Sequence, residues 1–188
     1  IASYRSRGHK RANIDPLGIM ERPYMPNLEL AYHHLSDADL EETFQTGGFH
    51  YEDGIAKLSD LIVALESTYC SSIGAEYMHI VDPSEHQWVQ QRLEVSRSQP
   101  NFSSEQKRAI LERLTAADGL EKFLQRRYPG TKRFGLEGGE SLIPMLHELL
   151  QRLGSHGVLE SVISMAHRGR LNVLVNILGK NPGDLFDE

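Results

Sequence analysis

The sequence predicts a helix-rich α/β fold, with an α-helical module over residues 1–115 followed by the first, truncated part of an α/β domain over 116–188. Three patterns lead there. Capped apolar stripes at helical spacing recur between Leu58 and Leu153. A turn-rich stretch without periodicity fills residues 9–35. Late in the chain Val162 and Ile163 open a short apolar run, and His167 to Arg170 break the periodicity. Leu171, Leu174, Val175 and Leu178 then recur at i, i+3, i+4 and i+7, which reads as strand, loop and helix.

Taken in order, Ile1 to Gly8 forms a short helix closed by Gly8. Asp15-Pro16-Leu17-Gly18, Arg22-Pro23 and Met25-Pro26 are turn chemistry, a segment that wraps over something. Ser36 is an N-cap for a helix carrying Leu40 and Phe44 and ended by Gly47-Gly48. Leu58, Leu61, Ile62 and Leu65 line the inner face of a helix over 57–69. Residues 73–80 are too polar for a buried strand and too short for a helix.

Asp82-Pro83-Ser84-Glu85 supplies N-cap, N1 and an acid at N3 for a helix whose Trp88, Val89 and Leu93 face the core. Ser103-Ser104-Glu105-Gln106 is a capping box for a helix with Ile110, Leu111 and Leu114. Residues 115–118 start a further helix, with Leu120, Phe123 and Leu124 inside, stopped at Tyr128-Pro129-Gly130. Leu142, Ile143, Leu146, Leu149 and Leu153 make the apolar face of the next, with Pro144 in its first turn. Gly179 suits the left-handed end of the final periodic helix, and Asn181-Pro182 with Asp184 opens another that runs to Glu188. The absence of an initiator methionine before Ile1 and that unfinished helix lead us to expect a piece of a longer chain.

The bulk numbers narrow the function. A net charge of −6 without a basic block argues against a nucleic-acid polyanion as main partner. One cysteine, Cys70, excludes an internal disulfide and fits a reducing compartment. No run approaches the roughly 18 apolar residues of a membrane span and no signal peptide opens the chain. A soluble, intracellular, globular protein with no membrane partner is expected.

The chemistry concentrates at the end of the expected strand. His167 reads either as a core histidine bonded to backbone or as part of an anion site. Arg168 and Arg170 beside it are costly to bury without an anionic partner, and a helix start adds N–H groups suited to phosphate or carboxylate. Leu136-Glu137-Gly138-Gly139-Glu140 lacks the spacing of a phosphate loop and carries two glutamates, so it reads as a tight turn, with Glu137 pairing Arg133 or Arg168. Arg133 alone reads as a solvated charge. Glu76 with His79, and His33 with His34, lack the partners for a four-ligand zinc site, and no metal ligand is assigned. His9, His50, His86, His147 and His156 read as surface residues.

The segment Met165-Ala166-His167-Arg168-Gly169-Arg170-Leu171-Asn172-Val173-Leu174, together with Lys132-Arg133-Phe134-Gly135-Leu136-Glu137-Gly138-Gly139-Glu140-Ser141, resembles the E1 component of the 2-oxoglutarate dehydrogenase complex. Arg7-Gly8-His9, Asp15-Pro16-Leu17-Gly18 and residues 73–80 extend the likeness along the whole chain, and alanine before His167 leans bacterial. The resemblance implies a homodimeric thiamin-diphosphate enzyme of the tricarboxylic acid cycle that decarboxylates 2-oxoglutarate and passes the succinyl group to the lipoyl group of the E2 dihydrolipoyl succinyltransferase.

On that resemblance the domain over 116–188 begins a thiamin-diphosphate-binding fold. His167 matches the active-site histidine and Arg168 a cofactor-contacting arginine, with Arg133 and Arg170 as supporting cofactor candidates. The resemblance places the Mg²⁺ and diphosphate motif and a second active-site histidine beyond Glu188, and an E2-engaging arm before Ile1, so the piece alone is expected to be inactive. It implies a cytoplasmic bacterial protein, or a mitochondrial-matrix one if eukaryotic. The sister 2-oxoadipate dehydrogenase E1 and a non-catalytic assembly module are the alternatives.

Overall fold

Side-chain caps mark the starts of two of the four long helices in the computed structural model, which describes residues 1–51 and 53–185. The chain divides into two compact units, Ile1–Asn101 and Phe102–Glu188.

In the first unit, helix α1 (Ala2–Arg7) runs into a 3₁₀ turn at Gly8–Arg11. Gly8 is right-handed, so it does not stop the helix by a left-handed turn. Its role is contact, because a Cβ there would lie 2.5 Å from the Tyr69 Cβ. The 9–35 segment is irregular as expected, pinned where the Asp15 carboxylate accepts the N–H groups of Leu17, Ile19 and Met20.

The helix expected after Ser36 is not there. The Asp39 carboxylate does accept the Ser36 N–H at 2.7 Å, but only one 3₁₀ turn follows. Thr43–Gln45 is instead strand β1, paired antiparallel with β2 (Ile55–Lys57) in the register Phe44 opposite Ala56. A ladder to a segment ten residues away outcompetes a helix that had few apolar positions to bury.

Helix α2 (Leu58–Tyr69) buries Leu58, Leu61 and Leu65, and α3 (Pro83–Ser96) starts where Asp82 accepts the Ser84 and Glu85 N–H groups at 2.8 and 3.0 Å. Trp88 corrects the expected inner face: it is 60% exposed, under the Arg92 guanidinium, while Val89 and Leu93 pack on the core. The residue α3 does bury is Glu94, at 1% exposure. Arg5 grips both its oxygens at 2.7 and 3.1 Å, the Tyr69 hydroxyl donates to it at 2.7 Å, and Tyr69 bonds Tyr77 at 2.9 Å. That network satisfies a charge which would otherwise be costly in a core of Tyr4, Phe49, Leu61 and Leu65. His9, expected at the surface, is partly buried and pairs Glu76 at 3.0 Å.

In the second unit the Ser103–Gln106 capping box is closed in both directions, at 2.9 and 3.2 Å. The two helices expected on either side of residue 115 are one, α4 (Ser104–Arg127), so the expected boundary falls inside a helix. Residues 115–118 offer cap-forming side chains, but no residue there breaks the turn, and Ala117 and Leu124 continue the buried stripe. Helix α5 (Leu142–Ser155) keeps Pro144 in its first turn and buries Ile143, whereas Leu149 is exposed. His147, also expected at the surface, is half-buried and accepts from Arg113 at 2.8 Å.

The expected strand at Val162-Ile163 is the largest departure. Residues 158–166 have no regular structure, and Leu159 and Val162 are 95% and 97% exposed. A strand exists only through its ladder, and nothing among the described residues pairs with this segment. The helix after it does form, as α6 (Arg170–Asn176), with Gly179 left-handed just beyond. Asn181 accepts the Gly183 N–H as a 3₁₀ turn, Pro182–Leu185, begins; the rest of the helix expected to reach Glu188 lies outside the described residues. The protein is thus helix-rich, and the only sheet among the described residues is the two-stranded β1–β2. No helix is long and apolar enough to cross a membrane, and no group of three or more His, Cys, Asp or Glu gathers as a metal site among those residues.

Candidate functional site

The two long motifs meet in the second unit. Gly169 donates its N–H to the Phe134 carbonyl at 2.6 Å, and an Arg168 guanidinium nitrogen donates to the Glu137 carbonyl, so the 132–141 segment is tied to the start of α6. Gly169 is the N-cap of α6 with φ 73°, and a Cβ on it would stand 2.5 Å from Leu136 Cδ1. Both the backbone angle and the close approach require glycine. The Leu136-Glu137-Gly138-Gly139 turn is the tight turn expected, closed by the Gly139 N–H on the Leu136 carbonyl at 2.7 Å.

His167 is exposed, and its imidazole stacks on Phe134 with ring centres 4.9 Å apart and planes 26° from parallel. An Arg170 nitrogen lies 3.1 Å from His167 Nδ1 and donates to the Ala166 carbonyl at 3.0 Å, while its guanidinium sits 5.7 Å from the Phe134 ring centre. A guanidinium carries no lone pair, so Nδ1 accepts, and the proton of the neutral ring is on Nε2. Sequence left two fates open for His167, a core histidine or part of an anion site; among the described residues its exposed imidazole meets Arg170 and Phe134 and bonds no backbone group, which is not the core histidine's arrangement.

The three arginines differ. Arg168 and Arg170 bond only carbonyls and the imidazole, and neither has a carboxylate at ion-pair distance among the described residues. Among the described residues their charges are therefore uncompensated, which is the condition an anion needs. Arg133 is partly buried, 3.9 Å from Glu137 Oε1 and 3.5 Å from the Glu121 carbonyl, so it is not the solvated charge its bare chemistry suggested. The expected seat of free helix-start amides is diminished, since the Gly169 and Arg170 N–H groups already bond Phe134 and His167 carbonyls.

Sequence reasoning missed Glu121 and Asn172. Glu121 is 5% exposed on α4 and accepts from the Leu136 N–H and Asn172 Nδ2, both at 3.1 Å. Asn172, fully buried, also donates to the Ala117 carbonyl at 2.9 Å and accepts from Asn176 at 2.7 Å. The signal was present: Glu121 is an acid four residues after Ala117 on the inner stripe of an amphipathic helix.

No family model matches the chain. Curated relatives do, along its whole length. It is 54% identical over 188 residues to the 2-oxoglutarate dehydrogenase E1 component of Azotobacter vinelandii, 51% over 188 residues to that of Cupriavidus necator, and 44% over 190 residues to that of Haemophilus influenzae. Each alignment takes in 100% of this chain and 20% of the relative. The chain is thus similar from end to end to bacterial 2-oxoglutarate dehydrogenase E1 components, and spans about a fifth of the length of the relatives it matches.

Proposed function

We propose that this chain is a segment of a thiamin-diphosphate-dependent 2-oxoglutarate dehydrogenase E1 component, acting in the bacterial cytoplasm as part of the tricarboxylic acid cycle. The whole protein decarboxylates 2-oxoglutarate and passes the succinyl group to the lipoyl group of the E2 dihydrolipoyl succinyltransferase, as a homodimer. Residues 116–188 open its diphosphate-binding domain, and the Mg²⁺ ligands come from elsewhere in the protein. The observation that carries this reading is the pair of guanidiniums, Arg168 and Arg170, without a carboxylate at ion-pair distance among the described residues and next in the chain to His167, in a chain similar throughout to E1 components.

That donor set fits thiamin diphosphate. Arg168 and Arg170 would meet its diphosphate or the carboxylate of a 2-oxo acid, with Arg133 adding charge from the loop. When bound, the cofactor supplies the electron sink for decarboxylation. The protein's part is orientation. Arg170 fixes the tautomer of His167, Phe134 covers one face of the ring, and Nε2–H is left as the donor for a substrate oxygen. Replacing His167 by Ala in the full-length protein is expected to lower 2-oxoglutarate-dependent turnover by about 10²- to 10⁴-fold. Turnover near wild type would remove His167 from the chemistry and the proposal with it.

A further inference from the structure

The His167 ring does not hold itself in place. It is exposed, its stacking partner Phe134 lies on an irregular loop, and the 158–166 segment before it has no ladder among the described residues to fix it. What immobilises the pair lies one layer deeper. The Leu136 N–H and the Asn172 side chain both end on one oxygen of Glu121, so a single carboxylate on α4 ties the 132–141 loop to α6. Leu136, held there, presses its Cδ1 against Gly169, and Gly169 in turn bonds the Phe134 carbonyl. The path from Glu121 through Leu136 and Gly169 to Phe134 sets the register in which Phe134 meets His167.

We propose that Glu121 is a positioning residue of this site, a buried carboxylate clasp that holds the Phe134 loop against the His167–Arg170 turn. The proposal rests on the cofactor reading above for its functional half and on geometry alone for its structural half. Two further observations favour a clasp over a filler. The other oxygen, Oε2, is buried with no hydrogen-bond partner among the described residues, an unsatisfied atom that an apolar side chain would have avoided. And Asn172 is itself oriented by Ala117 and Asn176, so the amide group that meets Glu121 is held from three sides. The arrangement is that of a supporting shell, where groups that never touch substrate lock those that do.

The test uses the full-length protein and three variants: Glu121→Ala, Glu121→Gln and, as a control on the cofactor reading, Arg168→Ala. Glutamine keeps an acceptor oxygen for Leu136 and Asn172, whereas alanine keeps none. Hydrogen exchange over residues 132–141 and 166–172 should quicken by about tenfold or more in Glu121→Ala, with exchange over 58–69 unchanged, and Glu121→Gln should restore most of the protection. Thiamin-diphosphate affinity or kcat should fall on the order of 10- to 100-fold in Glu121→Ala and clearly less in Glu121→Gln.

Unchanged exchange in Glu121→Ala overturns the clasp. So does a Glu121→Gln protein as exchange-labile as the alanine variant. Lost protection with unaltered affinity and kcat, in a protein whose Arg168→Ala variant does bind the cofactor more weakly, overturns the positioning role alone. If Arg168→Ala and Glu121→Ala both leave affinity and kcat unaltered, the cofactor reading fails while the exchange result still decides the clasp.

Discussion

Gly169→Ala probes the close approach of the α6 start to Leu136. At φ 73° an alanine sits in the left-handed region, at about 1–2 kcal/mol. Its Cβ would also lie 2.5 Å from Leu136 Cδ1, and Leu136 is buried with its amide held by Glu121, so it cannot step aside freely. Overpacking of that kind costs about 1–3 kcal/mol. Together they amount to about 2–5 kcal/mol, or roughly 4–20 °C in Tm for a chain of this size. Equilibrium urea unfolding followed by far-ultraviolet circular dichroism measures the loss. Leu136→Ala removes the clash but not the backbone strain, so the double variant should be less destabilised than the sum of the singles by about 1–3 kcal/mol. A Gly169→Ala chain within about 0.5 kcal/mol of wild type, or strict additivity with Leu136→Ala, refutes the reasoning.

Removing Arg5 by Arg5→Ala leaves the Glu94 carboxylate buried on the Tyr69 hydroxyl alone and should cost about 3–5 kcal/mol in the same unfolding assay, part of which Glu94→Gln in the same background recovers. Burial pushes the Cys70 thiol from 9.0 up to about 11, opposed by Arg11 and aided by Glu66, so at pH 8 its alkylation should run about 100-fold slower than that of an unperturbed cysteine. Because that value is raised in the folded state, the stability it contributes is complete below pH 9 and is lost as pH climbs through about 11. Tyr4, pushed from 10.0 to about 12 by burial first, has the same sign, so a pH titration of Tm should decline on the alkaline side. Phe134→Ala deletes the ring that stacks on His167 and should destabilise the chain by about 0.5–1.5 kcal/mol beyond its lost buried area, read from the same urea curves.

Short-range chemistry was legible in the sequence and long-range pairing was not. The starts of α3 and α4 follow from Asp82-Pro83 and from the Ser103–Gln106 box, because an N-cap is decided within four residues. The β1–β2 hairpin was invisible for the opposite reason: Thr43 to Gln45 is a strand only because Ile55 to Lys57 lies beside it. Val162 and Ile163 show the same rule in reverse, being strand-like by composition but without a ladder.

At the site, the clustering of His167, Arg168 and Arg170 could be read directly, since those residues are neighbours in the chain. That Arg168 would bond the Glu137 carbonyl rather than its carboxylate could not, and neither could the convergence of Leu136 and Asn172 on Glu121, separated by 15 and 51 residues from it. The one local clue to that convergence is an acid, Glu121, on an apolar helical stripe.

The bare segment between α5 and α6 has a practical consequence. From Val158 to Ile163 it exposes aliphatic side chains beside backbone groups that no strand among the described residues engages. Such a ribbon is a template for edge-to-edge stacking, and Glu160 is the single charge that opposes it. In concentrated solution this segment is therefore expected to promote self-association, which light scattering against concentration would register and Val162→Lys should lower.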